Sequence, residues 1–386
     1  MNKSFVLIVI LTLMIYACGS SDKKAISGEN TIKRYIAEIA DSVVFERFSP
    51  VALEALNPET NELLLFDEQK GQMLVIDSEG NLVSSFKPFV EGPNYMGNVS
   101  FGWSFFGTDK LVGFGFNYFY LFSKEGERLQ RLAYPFDVGG GVHMDFFPKR
   151  LTYYKNGVSE GVVALLPGPA GSSQKTQVYY DSLDLVYALD FSNESSSPIF
   201  KRPEQSIYRT IGKYIDSGYP SMDHLKDGKF GVIYQSDPTV YIYDALSNTL
   251  INSLAIPEEH QPEYKAVDFD SKASPDLTKS VGYIMGMGDK VAVMVNGRVP
   301  ESEYKKIRGI ERYRESPEIK QLQKRYLSTT LLLFDQEKYL GEVEWKLGMS
   351  DYRFFGDSNG YIWMKRIYED ERDYQTFLKI RIVPES

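Results

Sequence analysis

One short pattern recurs along the chain: an apolar strand ending in an aromatic or aliphatic residue, then Asp or Ser, then a polar turn. It falls at Ile76-Asp77, Phe122-Ser123, Tyr180-Asp181, Tyr243-Asp244 and Phe334-Asp335, at spacings of 46, 58, 63 and 91 residues. The clearest copy runs through strands at 62–66, 72–76 and 82–86, joined by turns that carry Gly71 and Gly80. Glycine supplies the positive φ that tight antiparallel turns require. Further copies cover 110–132, 229–254 and, around a long insert, 290–345. A looser copy covers 161–189, with strands expected at 161–166, 176–180 and 185–189, and the last covers 360–382. Repetition of a small antiparallel unit predicts an all-β fold in which repeats stack into a ring. Tandem sandwiches are disfavoured because no linker-like stretch divides the chain.

Weak first strands precede the units, for example at 98–103 and 352–355. Six units are counted, and the last lacks an outer strand. The alternating segment Arg34–Ala40 can supply it, because an open ring would leave a bare sheet edge. The expected fold is therefore a six-bladed β-propeller closed by an N-terminal strand, with one short helical insertion in blade five. In these marks the chain resembles six-bladed propellers of the TolB-like and NHL-like kind, and is similar to propeller lipoproteins of Bacteroidota. The resemblance covers 32–386 as architecture. No Trp-Asp dipeptide or kelch double glycine carries it further.

Composition supports burial as the source of stability. The chain has 27 Tyr and 24 Phe, large side chains that suit a half-buried pleated surface. It has one cysteine, so no intrachain disulfide can form. Net charge is −9, from 43 basic and 52 acidic residues without a dominant basic stretch, which argues against a nucleic-acid partner.

The sole cysteine, Cys18, follows a Lys3 start and an apolar run over 5–16. That run is too short for the roughly 20 residues that span a membrane, and reads as a signal peptide. Ile15-Tyr16-Ala17-Cys18 resembles the lipobox of bacterial lipoproteins, which implies acylation of Cys18. Expected segments are a signal peptide over 1–17, a flexible tether over 18–31 and a propeller over 32–386. Ser20 is not the retaining aspartate of many inner-membrane lipoproteins, so the expected location is the cell envelope at the outer membrane.

Residues 301–327 break the β pattern. Ser316 before Pro317 is an N-cap signature, Ile319, Leu322 and Tyr326 recur at helical spacing, and eight Lys/Arg face five Asp/Glu. A solvated helix on a neighbouring blade is the plainer explanation, a docking element for an acidic partner the sharper one.

Chemistry is sparse. There are three histidines, His143, His224 and His260, and no Gly-x-Ser-x-Gly or His-Glu-x-x-His motif. His143 and Asp145 would share a strand face, whereas the neighbours Asp223 and His224 would face opposite ways. His260, between prolines, reads as loop surface. Contact residues are expected at first-strand ends: Asn94, His143, Asp145, Asp223, His224 and Arg353. The favoured reading is a membrane-tethered binding module for a peptide, glycan or protein, with no catalytic residue and no cofactor. Its rival is a metal-dependent hydrolase holding Ca²⁺ in the central channel, for which Asn94, Asn98, Asp145, Asp223, Asp351 and Asp357 are the scattered oxygen ligands available.

Overall fold

The computed structural model describes residues 33–137, 151–157, 159–166, 168–169, 175–182, 184–310, 314, 316–347 and 353–385. Cys18, His143, Asp145 and Asp351 lie outside them. After an opening strand β1 (Lys33–Phe45), the chain builds four-stranded antiparallel sheets in series. They comprise β2 (Ala52–Leu56), β3 (Leu63–Asp67), β4 (Gln72–Ile76) and β5 (Leu82–Phe86); then β6 (Gly102–Phe106), β7 (Lys110–Phe114), β8 (Tyr118–Ser123) and β9 (Arg128–Ala133). The third holds β10 (Leu151–Asn156), β11 (Ser159–Leu165), β12 (Val186–Asp190) and β13 (Ser195–Pro198). The fourth holds β14 (Pro220–His224), β15 (Lys229–Tyr234), β16 (Thr239–Asp244) and β17 (Thr249–Ala255).

The remaining strands share a nine-stranded sheet. They are β18 (Glu263–Lys265), β19 (Asp276–Met287), β20 (Lys290–Gly297), β21 (Thr329–Asp335), β22 (Tyr339–Glu344), β23 (Phe354–Gly356), β24 (Ile362–Lys365) and β25 (Gln375–Pro384). β1 joins the two halves. It runs antiparallel to β25, from Tyr35 opposite Pro384 to Phe45 opposite Gln375, and its first residues pair in parallel with Gly341–Glu344 of β22.

This is a propeller arrangement, and the core sits between the sheets. Leu64 and Val75 pack with Trp103, Phe105 and Phe122 of the next sheet. Each later pair of neighbours shares such a layer, and Leu53 and Leu65 pack against Trp363 and Phe377 from the last strands. A fully buried Leu or Phe contributes about 1.5–3 kcal/mol, against about 1 for one hydrogen bond. Packing between sheets therefore sets the stability.

The repeating Asp or Ser now has a physical role. Asp77 Oδ1 accepts from the Glu79 and Asn81 N–H groups, both at 2.9 Å, and Asp244 Oδ1 from Ser247 N–H at 2.7 Å. Asp335 and Ser123 cap their own turns in the same way. Each side chain satisfies amides that the turn leaves without a ladder partner.

The third unit corrects the expected pattern. Residues 176–180 were expected as a strand but lead into helix α1 (Gln177–Ser182), because Thr176 Oγ1 accepts Tyr179 N–H at 3.2 Å and starts a helical turn. The unit's true capping aspartate is Asp190, which holds Asn193 N–H at 2.9 Å, and its outer strand is the polar Ser195–Pro198. First strands are also shifted: β6 begins after 98–101, and β23 starts at Phe354. A second short helix, α2 (Ile207–Thr210), lies between β13 and β14. The insertion between β20 and β21 holds α3 (Glu301–Ile307) and α4 (Pro317–Tyr326), the latter capped as expected by Ser316 Oγ accepting Ile319 N–H at 3.3 Å.

The first strands of successive units touch in series, β2–β6–β10–β14–β19–β23, and β23 lies back against β2. At two crossings backbone meets backbone. A Cβ at Gly286 would stand 1.7 Å from the His224 carbonyl oxygen, and one at Gly356 would stand 1.6 Å from that of Gly286. Gly286→Ala and Gly356→Ala are each expected to cost about 3 kcal/mol or more, because the backbone must separate to admit a methyl group. Chemical denaturation would read this as a lowered midpoint. Gly309→Ala, with nothing within 4 Å of its would-be Cβ, should leave that midpoint unmoved.

Candidate functional site

The first strands surround a small axial cavity bordered by Trp103, Ser104, Thr152, Asp223, His224 and Phe355, among others. Its volume is about 30 Å³. That admits water-sized guests, whereas sites for organic ligands run to several hundred Å³. Thr152 Oγ1 is buried at the cavity and has no hydrogen-bond partner among the described residues, which fits an ordered water.

Asp223 and His224 both border this cavity, at the end of β14 ahead of the 225–228 turn. The Asp223 carboxylate accepts Gly286 N–H at 2.8 Å and His224 N–H at 2.9 Å, tying β14 to β19. Asp223 is the one carboxylate bordering the cavity among the described residues, and no three His, Cys, Asp or Glu side chains converge there as metal ligands.

Asn94 and Arg353 make contacts of their own outside the cavity lining. Asn94 sits in the 87–101 connection, where its Oδ1 accepts Arg128 N–H at 2.9 Å and pins that loop to β9. Arg353 forms an ion pair with Glu54 of β2. His260 is half-buried rather than loop surface: its Nε2 meets Glu342 Oε1 at 2.9 Å and fastens the 258–260 turn to β22. His143 and Asp145 lie outside the described residues.

Connection lengths single out one rim. Alternating strand directions place every link from a fourth strand to the next first strand, and from a second to a third strand, at the same end of the sheets. That end carries the connections 87–101, 166–185, 199–219, 256–275, 298–328 and 366–374. The opposite end is built from tight turns such as 77–81, 124–127 and 245–248.

Between the third and fourth sheets the loop rim rests on a buried polar network that sequence reading missed. Asp216 accepts from Tyr208 Oη at 2.8 Å, from Gly218 N–H at 2.5 Å and from Ser236 Oγ. Asp237 accepts from Ser206 Oγ at 2.6 Å and Tyr241 Oη at 3.0 Å. Arg202 donates to the carbonyls of Tyr180 (2.9 Å) and Gly218 (2.7 Å), and its guanidinium lies against the rings of Tyr180, Tyr208 and Tyr234. Burial holds the Asp216 and Asp237 carboxyls above their ordinary range, against the pull of these donors. These donors tie the 199–219 connection to the 235–238 link beside it. Over the network lie half-buried Tyr214, Tyr219, Tyr264 and Phe269, rings suited to contact. The signal in the sequence was tyrosine density, at 208, 214, 219, 234, 241 and 243.

Asp216→Ala is expected to cost about 2–4 kcal/mol, because Tyr208, Ser236 and Gly218 lose their acceptor in a dry site. The pH dependence follows from the raised folded-state pKa. Stability from Asp216 is present below the ordinary carboxylate value and declines as pH rises through the folded value. Thermal melts from about pH 4 to about pH 8 should therefore show the difference between wild type and Asp216→Asn shifting steadily against the wild type.

No protein-family model and no curated protein matches the chain. Among solved structures it is similar to the WD40 repeats of RRP9, at 10% identity over 85% of this chain and 79% of that one, TM-score 0.41. It is also similar to a streptogramin B lyase, at 8% identity over 91% and 98%, TM-score 0.40, and to U3-55K, at 9% over 89% and 99%, TM-score 0.39. The fold assignment rests on the strand pairing above.

Proposed function

We propose that this chain is a membrane-tethered, non-enzymatic propeller that binds a peptide, glycan or protein partner of the cell envelope through its loop-bearing rim. In this reading residues 1–17 are a lipoprotein signal peptide, Cys18 carries the lipid, 18–31 form the tether and the ring lies at the outer membrane. The ring has six blades and closes through β1, which supplies the outer strand of the last. Support for the count comes from the cyclic order of first-strand contacts and from the place of β1 beside β25.

One observation carries the binding reading: all the long connections named above gather at one end of the sheets, while the other end is kept to tight turns. Repeat scaffolds that vary loops on one face commonly bind there. Exposed Phe48, Val90, Phe116, Val178 and Ile367 all stand on these connections or on short links at the same end. Apolar exposure of this kind marks contact surfaces when it clusters. The calcium-dependent hydrolase is the alternative reading; among the described residues Asp223 is the one carboxylate that borders the cavity, and calcium takes six to eight oxygen ligands.

A photo-crosslinking side chain placed at Phe116 or Tyr214, on the loop rim, should yield discrete adducts in living cells, and one at Leu246, on the turn rim, should not. Equal labelling from both rims would sink the reading. Cys18→Ser should release the chain from the membrane fraction, and retention of that variant would remove the lipid tether from it.

A further inference from the structure

The insertion between β20 and β21 carries two helices that differ in how far their cations are paired. On α3, Lys306 meets Glu303 at 2.6 Å and Arg308, just past its end, meets Glu301 at 3.0 Å, which leaves Lys305 without an ion pair among the described residues. On α4, Lys320, Lys324 and Arg325 are all exposed, and none forms an ion pair among the described residues; the Arg325 guanidinium lies against the Tyr326 ring. Helical geometry places Lys320 and Lys324 one turn apart, on the side away from buried Ile319 and half-buried Leu322 and Tyr326. Like charges at this spacing destabilise a helix by a few tenths of a kcal/mol. Lys324 and Arg325 complement the negative end of the helix, but Lys320, in its middle, does not. The stripe stands out on a chain of net charge −9.

We propose that the solvent face of α4 docks an acidic segment of a protein partner, an Asp/Glu-rich stretch lying along Lys320 and Lys324. The inference rests on the loop-rim reading above, since the insertion belongs to that rim, and adds the chemistry of what binds. Charge complementarity argues for the occupant. A membrane surface fits less well, because a helix lying in lipid needs a broad outward apolar face and this one turns its apolar stripe into the fold. A nucleic acid fits less well, because two cations on an acidic protein neutralise few phosphates.

The probe is a fluorescein-labelled peptide of ten glutamates, titrated with purified full-length protein and read by fluorescence anisotropy at low and moderate salt. Lys320→Glu with Lys324→Glu should weaken binding about tenfold or more, an effect that shrinks as salt rises. Lys226→Glu with Lys338→Glu, the same charge change on the turn rim, should alter it less than about twofold. The α4 variant should melt slightly below the wild type, since Lys324→Glu sets a negative charge at the negative end of the helix, and the turn-rim variant should match the wild type. No binding by the wild type, or equal binding by the α4 variant, overturns the proposal. So does tighter binding to phosphatidylglycerol vesicles that the α4 variant loses, which would make the stripe a lipid contact. Crosslinking from Phe116 and Tyr214 does not depend on these lysines, so the loop-rim reading can survive such a result or fail apart from it.

Discussion

The structure depends on how closely the first strands of neighbouring sheets approach at the axis. At Gly286 and Gly356 the distance between backbones leaves no room for a methyl group, and the Asp223 carboxylate spans the same crossing to hold the Gly286 amide. Close-packed interiors do not deform continuously. These crossings therefore fix the spacing of the inner ends, and the aromatic layers fill the wedges that open outward from them.

Much of the architecture was legible because the turn chemistry is local. An Asp or Ser after an apolar strand caps a tight turn by bonding amides two to four residues on, whatever the distant contacts. Legibility failed where tertiary context chose the outcome. Residues 176–180 look like a strand, yet Thr176 caps a helical turn and buries Tyr179 and Tyr180 against the 199–219 connection. Ser195–Pro198 has no apolar face, so its place as an outer strand comes only from pairing with β12.

The candidate site was less legible than the fold. Asp223 and His224 border a small cavity, while Asn94 and Arg353 are occupied as ties between loops and strands. The Arg202–Asp216–Asp237 network was invisible because its members are scattered between Tyr180 and Tyr241 and share no motif. Its effect is to make an irregular rim rigid. Loops that carry function need such support, since ordering them at the moment of binding would cost affinity.

The pairing of β1 with β25 has a consequence for how the molecule comes into being. Glu38 and Arg381, bonded across these strands, are 343 positions apart. β1 therefore waits for β25 before its ladder can form. Contacts of such range slow folding and leave unpaired edges open in the interval. The half-made fold is thus an adhesive object until its two ends meet.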